Sequence, residues 1–229
     1  MRMYKLQVRP NFHFEKTLRK IGYKFIAGAD EVGRGCFAGP VVAGCVVFSQ
    51  LCPFPEDIRI DDSKKLTPKQ REKAEMWIKQ NALVWAVGKA PASMINRVGM
   101  GQATKVAFRR AIVQVRSKVP IDFLLIDAFY IPWVRGLRRK NQKAIIDGDQ
   151  KCFSIAAASI IAKVYRDNLM KRISRNPKYK KYDWGKNKGY GTKTHQKAII
   201  KLGLTKYHRK AFVETFLNNF SSSQAQSGV

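Results

Sequence analysis

The sequence predicts an α/β fold built on a central mixed sheet of five strands. Two observations lead there. Short apolar runs rich in β-branched residues recur at Phe25–Ala29, Val41–Phe48, Ala82–Ala90, Ile121–Phe129 and Lys143–Asp147. After the first two, segments with apolar residues at helical spacing separate them, which is the alternation of an α/β domain. The first two strands are joined by a Gly-rich turn. Thr67 is an N-cap and Pro68 the first residue of the helix in "LTPKQREKAEMWIKQ". A second helix is read in "GQATKVAFRRAIVQVRSKV", ended by Pro120, and a buried one in the Ala-rich "CFSIAAASIIAKVYRDNLMKRI". From Asn176 the texture turns to Lys, Tyr and Gly, and two short helices close the chain at "THQKAIIKLG" and "KAFVETFLNNF". The division expected is an N-terminal extension (1–24), a main domain (25–175), a smaller C-terminal extension (176–220) of loops and short elements packed on it, and a disordered tail (221–229).

Composition narrows the function. With 44 Lys and Arg against 16 Asp and Glu, the 229-residue chain carries a formal charge of +28. That excess seeks a polyanion. No apolar run reaches the roughly 20 residues needed to span a bilayer, so nucleic acid is the expected partner, with no membrane. The four cysteines show neither a CxxC pair nor zinc-finger spacing and read as small buried thiols of a reducing compartment. No signal peptide is apparent, and the expected location is the cytoplasm.

Against that basic background the acids stand out by position. Asp30 and Glu31 follow the apolar run "FIAGA", Asp127 ends "LLID", and Asp147 and Asp149 precede the Ala-rich helix. Ends of strands are where open α/β sheets bind ligands. Carboxylates gathered there repel unless protonated or neutralised, and an oxygen-only set suits Mg²⁺ or Mn²⁺. Taken singly, Asp149 could cap a helix and Asp30 could pair with Arg34. Taken together with the charge, the acids point to a metal-dependent nuclease or nucleotidyl transferase.

The motifs go further. "AGADEVGRG" with "GPVVAG", "DDSKKLTPKQRE", "LLID", "GDQKCFSIAAASIIAKVYRD", "NKGYGTKTHQKAIIKLG" and "HRKAF" occur in order between Phe25 and Phe216. Together they closely resemble ribonuclease HII, the type 2 ribonuclease H; ribonuclease HIII is less similar in its first block. The resemblance implies a ribonuclease H-like fold. It implies cleavage of RNA in RNA–DNA hybrids and incision 5′ to single ribonucleotides in duplex DNA by a monomeric enzyme. A two-metal site of Mg²⁺ or Mn²⁺ would be held by Asp30, Glu31, Asp127 and Asp149, leaving 5′-phosphate and 3′-hydroxyl ends. Asp149 fits the pattern better than Asp147, which stands as an alternative ligand.

The same resemblance assigns sensing of the 2′-hydroxyl to Gly33, Arg34 and Gly35, phosphate contacts to Ser63, Lys64 and Lys65, and packing on the sugar at the RNA-to-DNA junction to Tyr190. His195 and His208 are expected to be structural or phosphate-contacting rather than metal ligands. Tyr179, Tyr182 and Trp184 are expected as core or loop anchors. Lys163 and Arg166 lie in the matching Ala-rich block, though either could be only a solvated helix residue. Two features depart from the pattern: Ala128 stands where glycine is usual, followed by an unusually basic loop with Arg135, Arg138, Arg139, Lys140 and Lys143 that reads either as extra duplex-backbone contacts or as a solvated charge run, and the segment before Phe25 lies outside the match. Two rivals are another ribonuclease H-fold nuclease, such as a resolvase, and a non-catalytic basic binding module.

Overall fold

The β-branched runs form the five expected strands. In the computed structural model, which describes residues 9–226 with side chains to 218, they are β1 (Ile26–Val32), β2 (Val41–Phe48), β3 (Ala82–Ala90), β4 (Phe123–Asp127) and β5 (Gln142–Ile145). Residues 1–8 of the predicted N-terminal extension and 227–229 of the predicted tail lie outside the described residues. The sheet order is β3-β2-β1-β4-β5. β1 pairs antiparallel with β2 and parallel with β4, and β4 pairs parallel with β5. The sheet is therefore mixed.

Helices follow the sequence signals closely. α1 (His13–Lys20) forms within the N-terminal segment, and α2 (Pro68–Asn81) starts at Thr67 with a complete capping box to Gln70. α3 (Ala92–Arg116) begins earlier than the periodicity suggests and is broken at Gly99, whose φ is +77°. The short α4 (Gly148–Lys151) leads into α5 (Phe153–Ser174), the Ala-rich helix. α6 (Pro177–Lys180), α7 (Trp184–Asn187), α8 (Lys193–Leu202) and α9 (Lys210–Gln226) complete the chain. α9 continues through Ser221–Gln226, where the sequence reading starts the tail; no Gly or Pro stands there to stop it.

Two compact units result, both discontinuous in sequence. One comprises residues 1–32, 42–89 and 105–165, and the other residues 33–41, 90–104 and 166–229. In the first, Phe12 packs on Phe48 and Phe153, while Leu18 joins Ile26, Phe123 and Ile155, so α1 and the residue before it belong to the core. The second has its own core of Trp184, Tyr179, Tyr182, Met170, Ile199 and Val213. Cys36, Cys45 and Cys152 are buried free thiols, as expected, and burial pushes Cys45 up to about 12; Cys52 is free but only half-buried, because it lies in the loop after β2 rather than in the core.

What positions the site is the contact of α5 with β1 and β2. A Cβ on Gly28 would lie 2.1 Å from the carbonyl carbon of Ser154, and one on Gly44 would lie 2.2 Å from the carbonyl oxygen of Ala158. These two glycines let helix backbone rest on strand backbone. Gly44→Ala is expected to lower stability by about 3 kcal/mol or more, since neither backbone can retreat without unpacking the core. Gly101→Ala, at a helical site where the new methyl meets nothing, should instead raise it by about 0.5–1 kcal/mol. Urea unfolding of both variants checks the pair; equal midpoints would contradict the account.

Candidate active site

Asp30 and Glu31 lie inside β1, not beyond its end as the sequence suggests. Their pairing is with β2, Asp30 facing Gly44 and Glu31 facing Ala43. The parallel pairing of β1 with β4 stops one residue earlier, at Ala29 and Ile126. Asp30 therefore follows the last rung of one parallel ladder, and Asp127 is the next residue on its partner. Asp127 in turn pairs with Ile145 on β5, and Asp147 to Asp149 follow two residues later. The acids thus collect at the carboxyl ends of three parallel strands, the position at which such sheets bind ligands.

Strand alternation puts Asp30 on the face of Gly28, beneath α5, and Glu31 on the other. Asp30 is buried, hydrogen-bonds with Ser159 of α5, and accepts from the Glu31 amide at 2.7 Å. Burial pushes its carboxyl well above the usual range, and the charges of Glu31, Asp127 and Asp149 add to the rise. Asp127 accepts a hydrogen bond from the Gly148 amide at 2.8 Å, which ties β4 to the turn carrying Asp149. Asp149 is buried, and its carboxyl is pushed up to about 7 by burial first and then by Asp62 and Asp127, with Lys64 pulling the other way. Asp147, by contrast, is exposed in a left-handed turn conformation at the start of α4.

The four acids expected from the sequence are thus brought into one electrostatic field. They do not form a closed cage: among the described residues, no three His, Cys, Asp or Glu side chains stand around a single point. The donor set fits Mg²⁺ or Mn²⁺, because it is all oxygen and because two of its members hold protons more tightly than isolated carboxyls do. That excess repulsion is what a divalent cation relieves.

Asp62 is the residue the sequence reading passes over. It is buried, bonds to Asp149, and accepts from the Lys64 amide at 2.9 Å. Its motif, "DDSKK", carries two lysines whose charge points to phosphate, and nothing in the sequence joins Asp62 to the distant Asp149. Beside it, Asp61 accepts a 2.6 Å bond from Arg59. Ser63 is buried with its hydroxyl 3.0 Å from that of Ser159, and Lys65 reaches Gln150 at 3.0 Å, while the Lys64 residue is exposed. Ala128 follows Asp127 with φ of +61°, which is why glycine suits that position better.

The second unit holds the remaining expected residues. Gly33 has φ of +89°, and a Cβ there would lie 2.2 Å from Nε of Arg166. Only glycine meets both conditions. Gly35 has open space around it, and Arg34 is exposed. Arg166 is fully buried rather than a solvated helix residue. It donates to the carbonyls of Pro40 at 3.0 Å, Ala38 at 3.1 Å and Lys188 at 2.9 Å. Arg209, equally buried, donates to those of Gly39 at 2.9 Å and Arg34 at 2.7 Å. Two guanidinium forks therefore hold the Gly33–Pro40 segment, one of them gripping the turn before Tyr190 as well.

Tyr190 is partly exposed; its hydroxyl hydrogen-bonds with Cys36, and its ring lies 6.0 Å from the Arg166 guanidinium. Its carbonyl lies 2.9 Å from Nδ1 of His195. Nε2 of His195 faces Trp184 Nε1 at 2.9 Å and His208 Nε2 at 3.1 Å, and His208 Nδ1 accepts from the Thr205 amide at 2.8 Å. This chain closes only if both rings are neutral, with protons on Nδ1 of His195 and Nε2 of His208. Burial agrees, lowering His195 and taking His208 to about 4. Both histidines are structural, and Tyr179, Tyr182 and Trp184 are core, as expected.

Comparison with known proteins decides the family. The sequence model of Ribonuclease HII matches residues 27–215. The chain belongs to the ribonuclease HII family. A ribonuclease HII from Caldanaerobacter subterraneus subsp. tengcongensis is 43% identical over 204 residues, 89% of this chain and 80% of that protein. Among solved structures, ribonuclease H2 from Pyrococcus horikoshii OT3 superposes with a TM-score of 0.66 at 23% identity, over 86% of this chain and 99% of its own. Bst-RNase HIII in complex with Mn²⁺ gives 0.64 at 19% identity, over 87% of this chain and 71% of its own. Both share the ribonuclease H-like fold. Ribonuclease HII proteins are metal-dependent hydrolytic endoribonucleases acting on nucleic acid, so this chain is such an enzyme.

The raised Asp149 carboxyl has a consequence for the metal-free protein. Between the unfolded value near 3.9 and about 7, the native state keeps a proton that the unfolded chain has lost. Stability from this group is therefore full at low pH and falls as pH rises through that window. Asp149→Asn should flatten the fall and, at pH 8 in chelator, be more stable than the wild type by up to about 4 kcal/mol. Urea titrations at pH 5 and pH 8 test this; a variant less stable at pH 8 would contradict it.

Proposed function

We propose that the chain cuts RNA in RNA–DNA hybrids and incises duplex DNA 5′ to a single ribonucleotide, as a cytoplasmic monomer. The observation that carries this is the shared field of Asp30, Asp127 and Asp149 at the ends of adjacent parallel strands. Asp30, Glu31, Asp127 and Asp149 would hold the cations, Mg²⁺ or Mn²⁺, and the Mn²⁺ complex of Bst-RNase HIII is in keeping with the second. Two such ions, when bound, supply an activated water and stabilise the leaving 3′ oxygen, giving 5′-phosphate and 3′-hydroxyl ends.

The protein's own groups do the rest. Asp30, tied to Ser159 and the Glu31 amide, presents its carboxylate in a fixed direction. Asp127 is oriented by the Gly148 amide. Asp62, bonded to the Asp149 carboxyl and held by the Lys64 amide, fixes the direction in which Asp149 points. Gly33, Arg34 and Gly35 present backbone groups to the 2′-hydroxyl, which both donates and accepts hydrogen bonds. The buried guanidinium groups beneath that segment keep it rigid. Lys64 and Lys65 meet phosphate, with Ser63 supporting them from inside, and Tyr190 lies on the sugar at the junction.

A labelled duplex with one ribonucleotide tests the reading. The wild type should make one cut 5′ to it with Mg²⁺ or Mn²⁺. Asp30→Asn should lose at least about 10³-fold in rate, given what positioned charge is worth in a dry site. Tyr190→Ala should lose most single-ribonucleotide cutting while keeping more on continuous hybrids. Cutting of branched DNA instead, or binding without any cutting, would overturn the proposal.

A further inference from the structure

The loop between Asp127 and β5 is built to display one side chain. Ile131, Val134 and Leu137 are buried, and the residues between them, Pro132, Trp133, Arg135 and Gly136, face outward. The side chain of Gln142 fastens the loop as a strand would: Oε1 accepts from the Ile131 amide and Nε2 donates to the Ile131 carbonyl, both at 3.0 Å. Arg109 Nε donates to the Pro132 carbonyl at 3.0 Å. On this fixed base Trp133 is 88% exposed, with φ of +61°. A bulky residue in the left-handed region is a strained outlier, and strain of this kind gathers at functional sites. Nothing in the packing requires tryptophan there.

Its surroundings give the partner's chemistry. From Ala128 to Ile146 the chain has no acid, and Arg135, Arg138, Arg139, Lys140 and Lys143 are all exposed. Arg139 lies over the Tyr130 ring at 4.2 Å, which stiffens one cation of the set. An exposed indole among cations fits a polyanion that offers flat rings. In a duplex the base faces are taken up by their neighbours, so the ring needs a strand whose bases are unstacked.

We propose that Trp133, with Arg135 and Arg138, is a stacking site for single-stranded nucleic acid, gripping unpaired strand next to the duplex that is cut. The site rests on the reading of this chain as a nucleic-acid enzyme. Its test reads binding without cleavage, so the two can fail separately. The full-length protein in chelator is titrated with 20-nucleotide oligo(dT), with fully paired DNA, and with phosphatidylglycerol vesicles, following tryptophan emission and affinity. Trp184 is buried and Trp77 and Trp85 are partly buried, so quenching by stacking reports Trp133.

Oligo(dT) should quench the wild type. Trp133→Gly, which suits the positive φ, should abolish the quench and weaken oligo(dT) binding about 10-fold, the worth of one stacked base. Trp133→Phe should restore part of that affinity. Arg135→Ala with Arg138→Ala should lower the slope of log affinity against log salt by about 1.4. Unchanged oligo(dT) affinity in Trp133→Gly, equal quenching by paired DNA, or quenching by vesicles alone would each overturn the proposal.

Discussion

The backbone contact between α5 and the first two strands is the constraint on which the acid cluster depends. Gly28 and Gly44 remove the side chains that would hold helix and sheet apart, with Gly44 directly opposite Asp30 in the ladder. The absent side chain at Gly44 leaves Asp30 covered by the helix and within reach of Ser159. A carboxyl so enclosed cannot be hydrated, and its neighbours in the cluster are acids. The fold thus installs a charge problem in its own core, at the carboxyl ends of the parallel strands, that a bound cation would relieve.

The rest of the protein has the opposite sign, which reconciles two needs. A chain of +28 draws a nucleic acid to it. A phosphodiester would still be repelled by the local acids unless they were neutralised, so substrate and cations favour each other's binding. The buried arginines of the second unit work in another way. Arg166 and Arg209 spend their fixed forks on backbone carbonyls, holding a glycine-rich segment that has little side-chain packing of its own.

Much of this was legible in the sequence, for identifiable reasons. The inner strands β1, β2 and β4 announced themselves because they are buried on both faces and need continuous apolar runs, and β2 and β3 have the predicted bounds. The four acids could be picked out because they interrupt such runs. Their place within β1 could not, since a charged residue inside a buried strand looks like its end. Asp62 was hidden because its partnership with Asp149 spans distant elements. Arg166 was hidden because helical spacing says which residues share a face but not which loop folds back over it. The role of Gly33 was open from composition alone; the Arg166 side chain beneath it, visible only in three dimensions, makes glycine obligatory.

The central claim is that the cluster is a repulsive site stabilised by divalent cations. Thermal unfolding at pH 8 with Mg²⁺ raised from zero to 10 mM tests it most directly, beside Asp30→Asn. A ligand of the native state alone at 100 times its Kd adds about 2.7 kcal/mol. The melting temperature of the wild type should climb with Mg²⁺ by several degrees, and that of Asp30→Asn should start higher and climb far less. Equal responses in the two proteins, or a wild type indifferent to the ion, would contradict the account.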